Sequence, residues 1–115
     1  MKLDGMSVSV EALEPRWLGA ERRIPASLAE LHGPSAGTVA LPGWLAWSGR
    51  TEFDVADPGA RLTLYQILVD VGQRDDVAKY MNADYLRADW PRLRRLIESP
   101  LRRIWEQRLS LSVAV

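Results

Sequence analysis

The sequence predicts a mainly α-helical protein, a small bundle of short helices preceded by an extended, irregular N-terminal arm. Helix-start patterns and helical spacing of apolar residues recur from Asp57 onward. By contrast, six of the eight glycines and four of the seven prolines fall within the first 49 residues. The 115 residues, 47% hydrophobic and 26% charged, match a single globular domain. We therefore assign residues 1–40 to the arm and residues 41–115 to a small helical domain.

The first predicted helix spans residues 58–71. Asp57 is a good N-cap, Pro58 suits the first helical position, and Gly72 provides a C-terminal stop. The apolar residues between them cover more of the helix circumference than the stripe of about 100° that is typical of a surface helix. This width predicts either that the fold wraps around the helix or that one side of it is left for a partner.

Three shorter helices are predicted over residues 74–81, 83–90 and 92–98. Asp75 and Asp76 favour the first of them, because carboxylates stabilise the positive end of a helix dipole. Asn82 is a good cap for the second. Proline disrupts the interior of a helix, so Pro91 predicts the end of the second helix and the start of the third.

The last predicted helix spans residues 100–109. Ser99-Pro100 repeats the pattern of a cap followed by proline. One face of this helix is apolar, formed by Leu101, Ile104, Trp105 and Leu109.

The N-terminal half contains only short elements, a two-turn helix over residues 25–31 and a strand over residues 38–41. Trp17, Trp44 and Trp47 require burial despite this loose pattern. The region is therefore expected to pack onto the helices or onto another chain.

Charge and composition exclude several classes of function. The 15 basic and 15 acidic residues cancel, which argues against a protein that coats nucleic acid or membranes. Residues 1–86 nevertheless carry eight basic and twelve acidic side chains, whereas residues 87–115 carry seven and three. The absence of cysteine excludes disulfides and thiolate metal sites. There is no signal-peptide pattern and no apolar run of ~18 residues, so we expect a cytoplasmic protein.

No catalytic motif is present. The chain lacks a nucleophile elbow, a Walker A loop, an HExxH motif and a glycine-rich dinucleotide turn. His32 is the single histidine, and adjacent helical carboxylates such as Asp75 and Asp76 point about 100° apart. We therefore expect no enzymatic activity, no cofactor and no bound metal.

An arginine-rich C-terminal region is the candidate for nucleic-acid contacts. Its members are Arg92, Arg94, Arg95, Arg102 and Arg103. The favoured interpretation is instead a solvated helix face with ion pairs to Glu98 and Glu106. A helix-turn-helix around Gly72 is disfavoured, because Asp75 and Asp76 would repel phosphates.

Several short motifs carry a resemblance to a known family. They are Leu45-Ala-Trp-Ser-Gly-Arg50, Phe53-Asp-Val-Ala-Asp-Pro58, Leu64-Tyr65, Val71-Gly72, Leu86, Trp90-Pro91 and Trp105-Glu106-x-Arg108. Over residues 41–109 the sequence resembles antitoxins of the mycobacterial MenA type, which are encoded beside AbiEii-like (MenT) nucleotidyltransferase toxins. The resemblance implies an antitoxin that neutralises, by direct contact, a toxin that transfers nucleotides to tRNA. In some members it does so by promoting phosphorylation of the toxin.

The resemblance and the tryptophans together predict a partner-binding surface in a complex of this chain with the toxin. The candidate residues are Trp44, Trp47, Arg50, Tyr65, Asp70, Asp75 and Asp76. Tryptophan and arginine are enriched at the dominant positions of interfaces, and the carboxylates suit a basic surface on the toxin. The alternatives are a small DNA-binding transcriptional regulator that uses the arginine-rich region, and an oligomerisation module without a toxin partner.

Overall fold

The computed structural model describes residues 19–46 and 49–111, and this part of the chain is mainly helical, which confirms the predicted fold class. Its four α-helices are α1 (Pro58–Val71), α2 (Arg74–Tyr80), α3 (Ala83–Leu93) and α4 (Ser99–Leu109). The short strands β1 (Thr38–Ala40) and β2 (Glu52–Asp54) pair antiparallel, with Val39 opposite Phe53. Single 3-10 turns occupy Ala20–Arg23, Leu28–Glu30 and Arg94–Leu96. No helix among the described residues is long and apolar enough to cross a lipid bilayer.

The predicted ends of α1 are confirmed. The Asp57 side chain accepts a hydrogen bond from the Ala60 N–H at 3.2 Å, and Pro58 occupies the first helical position. The helix ends before Gly72, where a Cβ would lie 2.6 Å from the Leu68 carbonyl oxygen. Glycine at this position therefore relieves a backbone clash that any other residue would create.

The caps of α2 and α3 also agree with the sequence prediction. The Asp76 carboxylate accepts a hydrogen bond from the Gln73 N–H at 2.9 Å, and the Asn82 side chain accepts one from the Tyr85 N–H at 3.1 Å. The second helix ends at Tyr80 rather than at residue 81, because the Met81 backbone is extended.

Pro91 does not end α3, which corrects the predicted boundary. The helix continues through Pro91 to Leu93, and a 3-10 turn replaces the helix predicted over residues 92–98. An interior proline costs about 3 kcal/mol. Trp90 and Leu93 are both fully buried, and each large apolar side chain contributes about 1.5–3 kcal/mol on burial. Packing on both sides of Pro91 therefore offsets the cost of the proline.

The start of α4 also differs slightly from the prediction. Ser99 is the first helical residue and Glu98 takes the N-cap position, where it makes no side-chain cap hydrogen bond. The predicted apolar face is confirmed in its main members. Trp105 is buried and stacks on Trp90 with ring centroids 6.3 Å apart.

Residues 19–46 pack onto the same hydrophobic core as the helices. Ala20, Ile24, Val39 and Leu41 are buried in it. The two-turn helix predicted over residues 25–31 is instead a single 3-10 turn. Ser27 caps this turn, and its side chain accepts a hydrogen bond from the Ala29 N–H.

Two further contacts fix this segment against α2. Arg74 donates two hydrogen bonds to the Glu30 carboxylate, at 3.0 and 2.7 Å. The N–H groups of His32 and Gly33 donate to the carbonyls of Ala78 and Met81, at 2.8 and 2.9 Å. These bonds satisfy carbonyls at the end of α2 that have no partner within the helix.

A buried ion pair joins the strands to the helices. The Arg61 guanidinium donates two hydrogen bonds to the Asp89 carboxylate, at 2.6 and 3.0 Å, and a third to the Val55 carbonyl at 2.8 Å. It also lies 3.8 Å from the centre of the Tyr85 ring. The bonds to Asp89 raise the pKa of Arg61. This contact therefore connects the end of β2, α1 and α3.

We expect Asp89→Ala to lower the free energy of unfolding by about 3–5 kcal/mol, because it leaves the buried Arg61 charge unpaired. Asp84→Ala is the matched control, since Asp84 also lies on α3 and pairs with an arginine three residues on, but at an exposed site. Its cost should stay below about 1 kcal/mol. Urea unfolding followed by circular dichroism measures both. Equal losses for the two variants would contradict the structural role of Asp89.

Gly33→Ala is expected to lower the free energy of unfolding by about 1–3 kcal/mol, because the added Cβ would overlap the Tyr80 carbonyl group. Gly59→Ala is the control, since a Cβ there meets no atom within 4 Å and lies within α1. That change should raise stability by up to about 1 kcal/mol. Thermal unfolding of the two variants should therefore shift in opposite directions, and wild-type stability for Gly33→Ala would exclude the predicted overlap.

Candidate partner-binding site

A groove of about 350 Å³ lies between α1 and the loop that precedes β2. Apolar side chains form most of its lining, and Arg50 and Asp70 lie at its margin. The lining residues are Leu45, Ala46, Gly49, Arg50, Phe53, Thr63, Ile67, Asp70 and Val71. The groove therefore brings together two of the residues predicted to bind a partner.

The segment around residues 96–98 flanks the outward face of α1 on another side. The Gln66 side chain donates a hydrogen bond to the Leu96 carbonyl at 3.4 Å. Glu98 lies close enough to Asp70 for its negative charge to affect the ionisation of that carboxylate. The exposed face of α1 thus lies among segments that are distant in sequence.

Three large apolar side chains among the described residues are exposed. Trp44, Val71 and Leu96 are 62%, 47% and 46% exposed. Val71 lines the groove, Trp44 is the chain neighbour of the groove residue Leu45, and the Leu96 carbonyl contacts α1. Val71 therefore adds exposed apolar area to the groove, a property typical of interaction sites.

Arg50 has a defined position at the groove. Its Nε donates a hydrogen bond to the Glu52 carbonyl at 3.1 Å, and its guanidinium lies 5.0 Å from the centre of the Phe53 ring. The Arg50 residue is exposed. Its role as a partner contact stays a prediction.

The environment of Asp70 disfavours its negative charge. Partial desolvation, together with the charge of Glu98, raises the pKa of Asp70, although the residue as a whole is exposed. Arg23 opposes the shift but donates its hydrogen bonds to the carbonyls of Asp70 and Gly72, at 3.3 and 3.2 Å, rather than to the carboxylate.

Tyr65 is not a surface residue, which corrects its prediction as a partner contact. It is 0% exposed, and its hydroxyl accepts a hydrogen bond from the Asn82 N–H at 2.9 Å. The same part of α1 leaves Asp70 exposed and Ile67 partly buried, and it directs Tyr65 toward the core. Most of the apolar arc of α1 is therefore packed in the core, and only its edge near Val71 is exposed to solvent.

The predicted partner contacts Asp75 and Asp76 do not line the groove. Asp75 and Asp76 lie in the first turn of α2, where Asp76 caps the helix. Trp47 lies outside the described residues.

The arginine-rich region is partly used within the fold. Arg94 donates to Glu106 at 2.6 Å, which confirms the predicted ion pair, and Arg92 donates to Asp89 at 2.7 Å. Arg102 contacts the Arg94 carbonyl at 3.4 Å. Arg95 and Arg103 remain exposed.

Sequence reasoning did not identify Ile67, Val71 or Leu96 as surface residues of a site. The unusual width of the apolar arc of α1 was the available signal, but it does not specify which side stays uncovered. Among the described residues, no group of three or more histidine, aspartate or glutamate side chains is arranged to bind a metal ion.

No protein family profile, curated protein or solved structure matches this chain.

The burial of Tyr65 predicts an alkaline pH dependence of stability. Desolvation raises its pKa to about 12, above the usual tyrosine value of 10.0. Between these values the unfolded chain loses the phenol proton while the folded chain keeps it, so stability falls as pH rises. A difference of about two in pKa corresponds to about 2.7 kcal/mol in total.

Tyr65→Phe tests this dependence. At pH 7 it should cost about 1–3 kcal/mol, because the Asn82 N–H loses its acceptor. Above pH 10, however, the variant should lose less stability than the wild type. Chemical unfolding at a series of pH values from 7 to 11 measures the difference, and parallel alkaline slopes would contradict it.

Proposed function

We propose that this chain is a cytoplasmic antitoxin without catalytic activity, which neutralises a tRNA-modifying nucleotidyltransferase toxin by binding it directly. The single observation that carries the binding role is the groove beside α1, whose lining is mostly apolar and includes the exposed Val71. The resemblance over residues 41–109 supports the identity of the partner.

The composition of the groove supports binding rather than catalysis. Its ionisable groups are Asp70 and Arg50 at the margin, and the Thr63 hydroxyl donates to the Gly59 carbonyl at 3.3 Å. An apolar centre with a polar rim is the usual anatomy of a protein interface. In this proposal the apolar side chains supply affinity, and the charged rim sets the orientation of the toxin.

Neutralisation has two routes in this proposal. The bound chain covers the tRNA- or nucleotide-binding surface of the toxin, or it promotes phosphorylation of the toxin. Nucleotide transfer to tRNA by the purified toxin, with and without the chain, measures neutralisation. Mass spectrometry of the recovered toxin then separates the two routes, because only the second leaves a phosphoryl group on it.

Trp44→Ala should weaken binding to the proposed nucleotidyltransferase toxin by about 2 kcal/mol, or roughly 30-fold in Kd, because it removes an exposed anchor. Gln107→Ala is the control, since Gln107 is exposed on α4 and does not line the groove. Calorimetric titration measures both variants. Wild-type affinity for Trp44→Ala would remove Trp44 as an anchor, and no binding by the wild-type chain would remove the antitoxin proposal.

A DNA-binding regulator is the alternative, and the exposed guanidinium groups of Arg95 and Arg103 favour it. In that case the chain would bind DNA upstream of its gene with steep salt dependence, and Arg95→Ala combined with Arg103→Ala would reduce that dependence.

A further inference from the structure

Asp70 is a carboxylate in an unfavourable place at the rim of the groove. It lies in the last turn of α1, where the helix dipole disfavours a negative charge. The negative charge of Glu98 acts on it, and Asp70 is partly desolvated although its residue is exposed. Among the described residues, no side-chain or backbone donor forms a hydrogen bond with the Asp70 carboxylate.

The nearby Arg23 relieves this arrangement only in part. Arg23 uses its guanidinium to bind the carbonyls of Asp70 and Gly72, which carry the negative end of the helix dipole. Fold stability alone would favour a neutral residue at position 70. A group that is unfavourable for the fold but lies at the rim of a groove is typical of a functional site.

The groove next to Asp70 is suited to an apolar side chain. Phe53, Ile67 and Val71 contribute to its lining, and its volume of about 350 Å³ lies at the lower end of the range for binding pockets. Arg50 lies on the loop side of the groove, whereas Asp70 and Glu98 lie near the end of α1. The site therefore combines an apolar centre with an acidic end.

We propose that this groove selects its protein partner by charge: it takes a large apolar side chain of the partner, and Asp70 pairs with a lysine or arginine next to that side chain. The occupant is thus a basic amphipathic segment of another protein. The identity of that protein rests on the proposed function, whereas the charge selection does not. Asp70 acts here as a specificity residue, because a partner with an acidic residue at that position would meet two carboxylates.

Two synthetic amphipathic peptides test the selection directly. They share one leucine pattern and differ only in carrying lysine or glutamate beside the leucines, and each is titrated into the isotope-labelled chain while its amide NMR shifts are recorded. The lysine peptide should shift the amides of Ile67, Asp70 and Val71. The glutamate peptide should bind roughly fivefold more weakly or worse.

The variant Asp70→Asn should abolish the difference between the peptides and leave the melting temperature unchanged or higher. Asp84→Asn is the matched control, an exposed carboxylate on α3 outside the groove, and it should retain the difference. The proposal is overturned if both peptides bind wild type equally, if neither shifts the groove amides, or if Asp70→Asn retains the preference. Groove shifts that depend on chain concentration without peptide would assign the groove to a second copy and also overturn it.

Binding to the toxin provides a separate measurement. Asp70→Asn should weaken that complex and flatten the dependence of log Kd on log salt concentration, whereas Trp44→Ala should weaken it without changing the slope. If the lysine peptide binds the wild-type chain but the toxin does not, the proposed partner is wrong and the proposed charge selection is retained. If the toxin binds but the chain does not distinguish the two peptides, the charge selection is wrong and the toxin is retained as the partner.

Discussion

The charged guanidinium of Arg61, buried below β2, forces three separate segments of the chain to meet at one point. Arginine does not lose its charge in proteins, and removing such a charge from water costs several kcal/mol unless it is fully paired. Asp89 on α3, the Val55 carbonyl after β2 and the Tyr85 ring together satisfy it. Because these partners have directional geometry, they fix β2 and α3 relative to α1. The position of Phe53 beside α1, and with it the groove, depends on this arrangement.

A second polar contact has the same role at the opposite side of Trp90. The Glu106 carboxylate accepts hydrogen bonds from the Trp90 indole N–H at 2.8 Å and from the Arg94 Nε at 2.6 Å. It connects α4 to the turn that follows α3, and the stacked rings of Trp90 and Trp105 lie beside it. Indole rings alone would pack in several orientations, whereas a buried N–H requires a specific acceptor. The core is therefore ordered by directional bonds as well as by apolar area.

The sequence correctly predicted the features that depend on interactions between residues close together in the chain. The caps Asp57 and Asn82, the stop at Gly72 and the apolar face of α4 all depend on neighbours within a few residues. The predicted helix end at Pro91 is wrong. The energetic cost of an interior proline can be read from the local sequence, whereas the burial of Trp90 and Leu93 that offsets this cost depends on tertiary packing. The Arg61–Asp89 pair was not predicted, since nothing in the sequence links positions on two separate helices. Likewise, the width of the apolar arc of α1 predicted an excess of apolar surface. The arc alone does not specify that Tyr65 is buried and Val71 exposed, because this depends on how residues 45–46 and 49–53 pack against α1.

The backbone bonds from residues 32–33 to the end of α2 have a consequence for the order of folding. Seven residues are too few to form a stable helix in isolation, because nucleation is costly and few hydrogen bonds follow it. The carbonyls of Ala78 and Met81 gain their partners only when a chain segment more than 40 residues earlier docks beside them. Closing a loop of that length costs entropy before any contact rewards it. Stable formation of α2 is thus a late, non-local event, and its amides should exchange hydrogen in concert with those of residues 32–33.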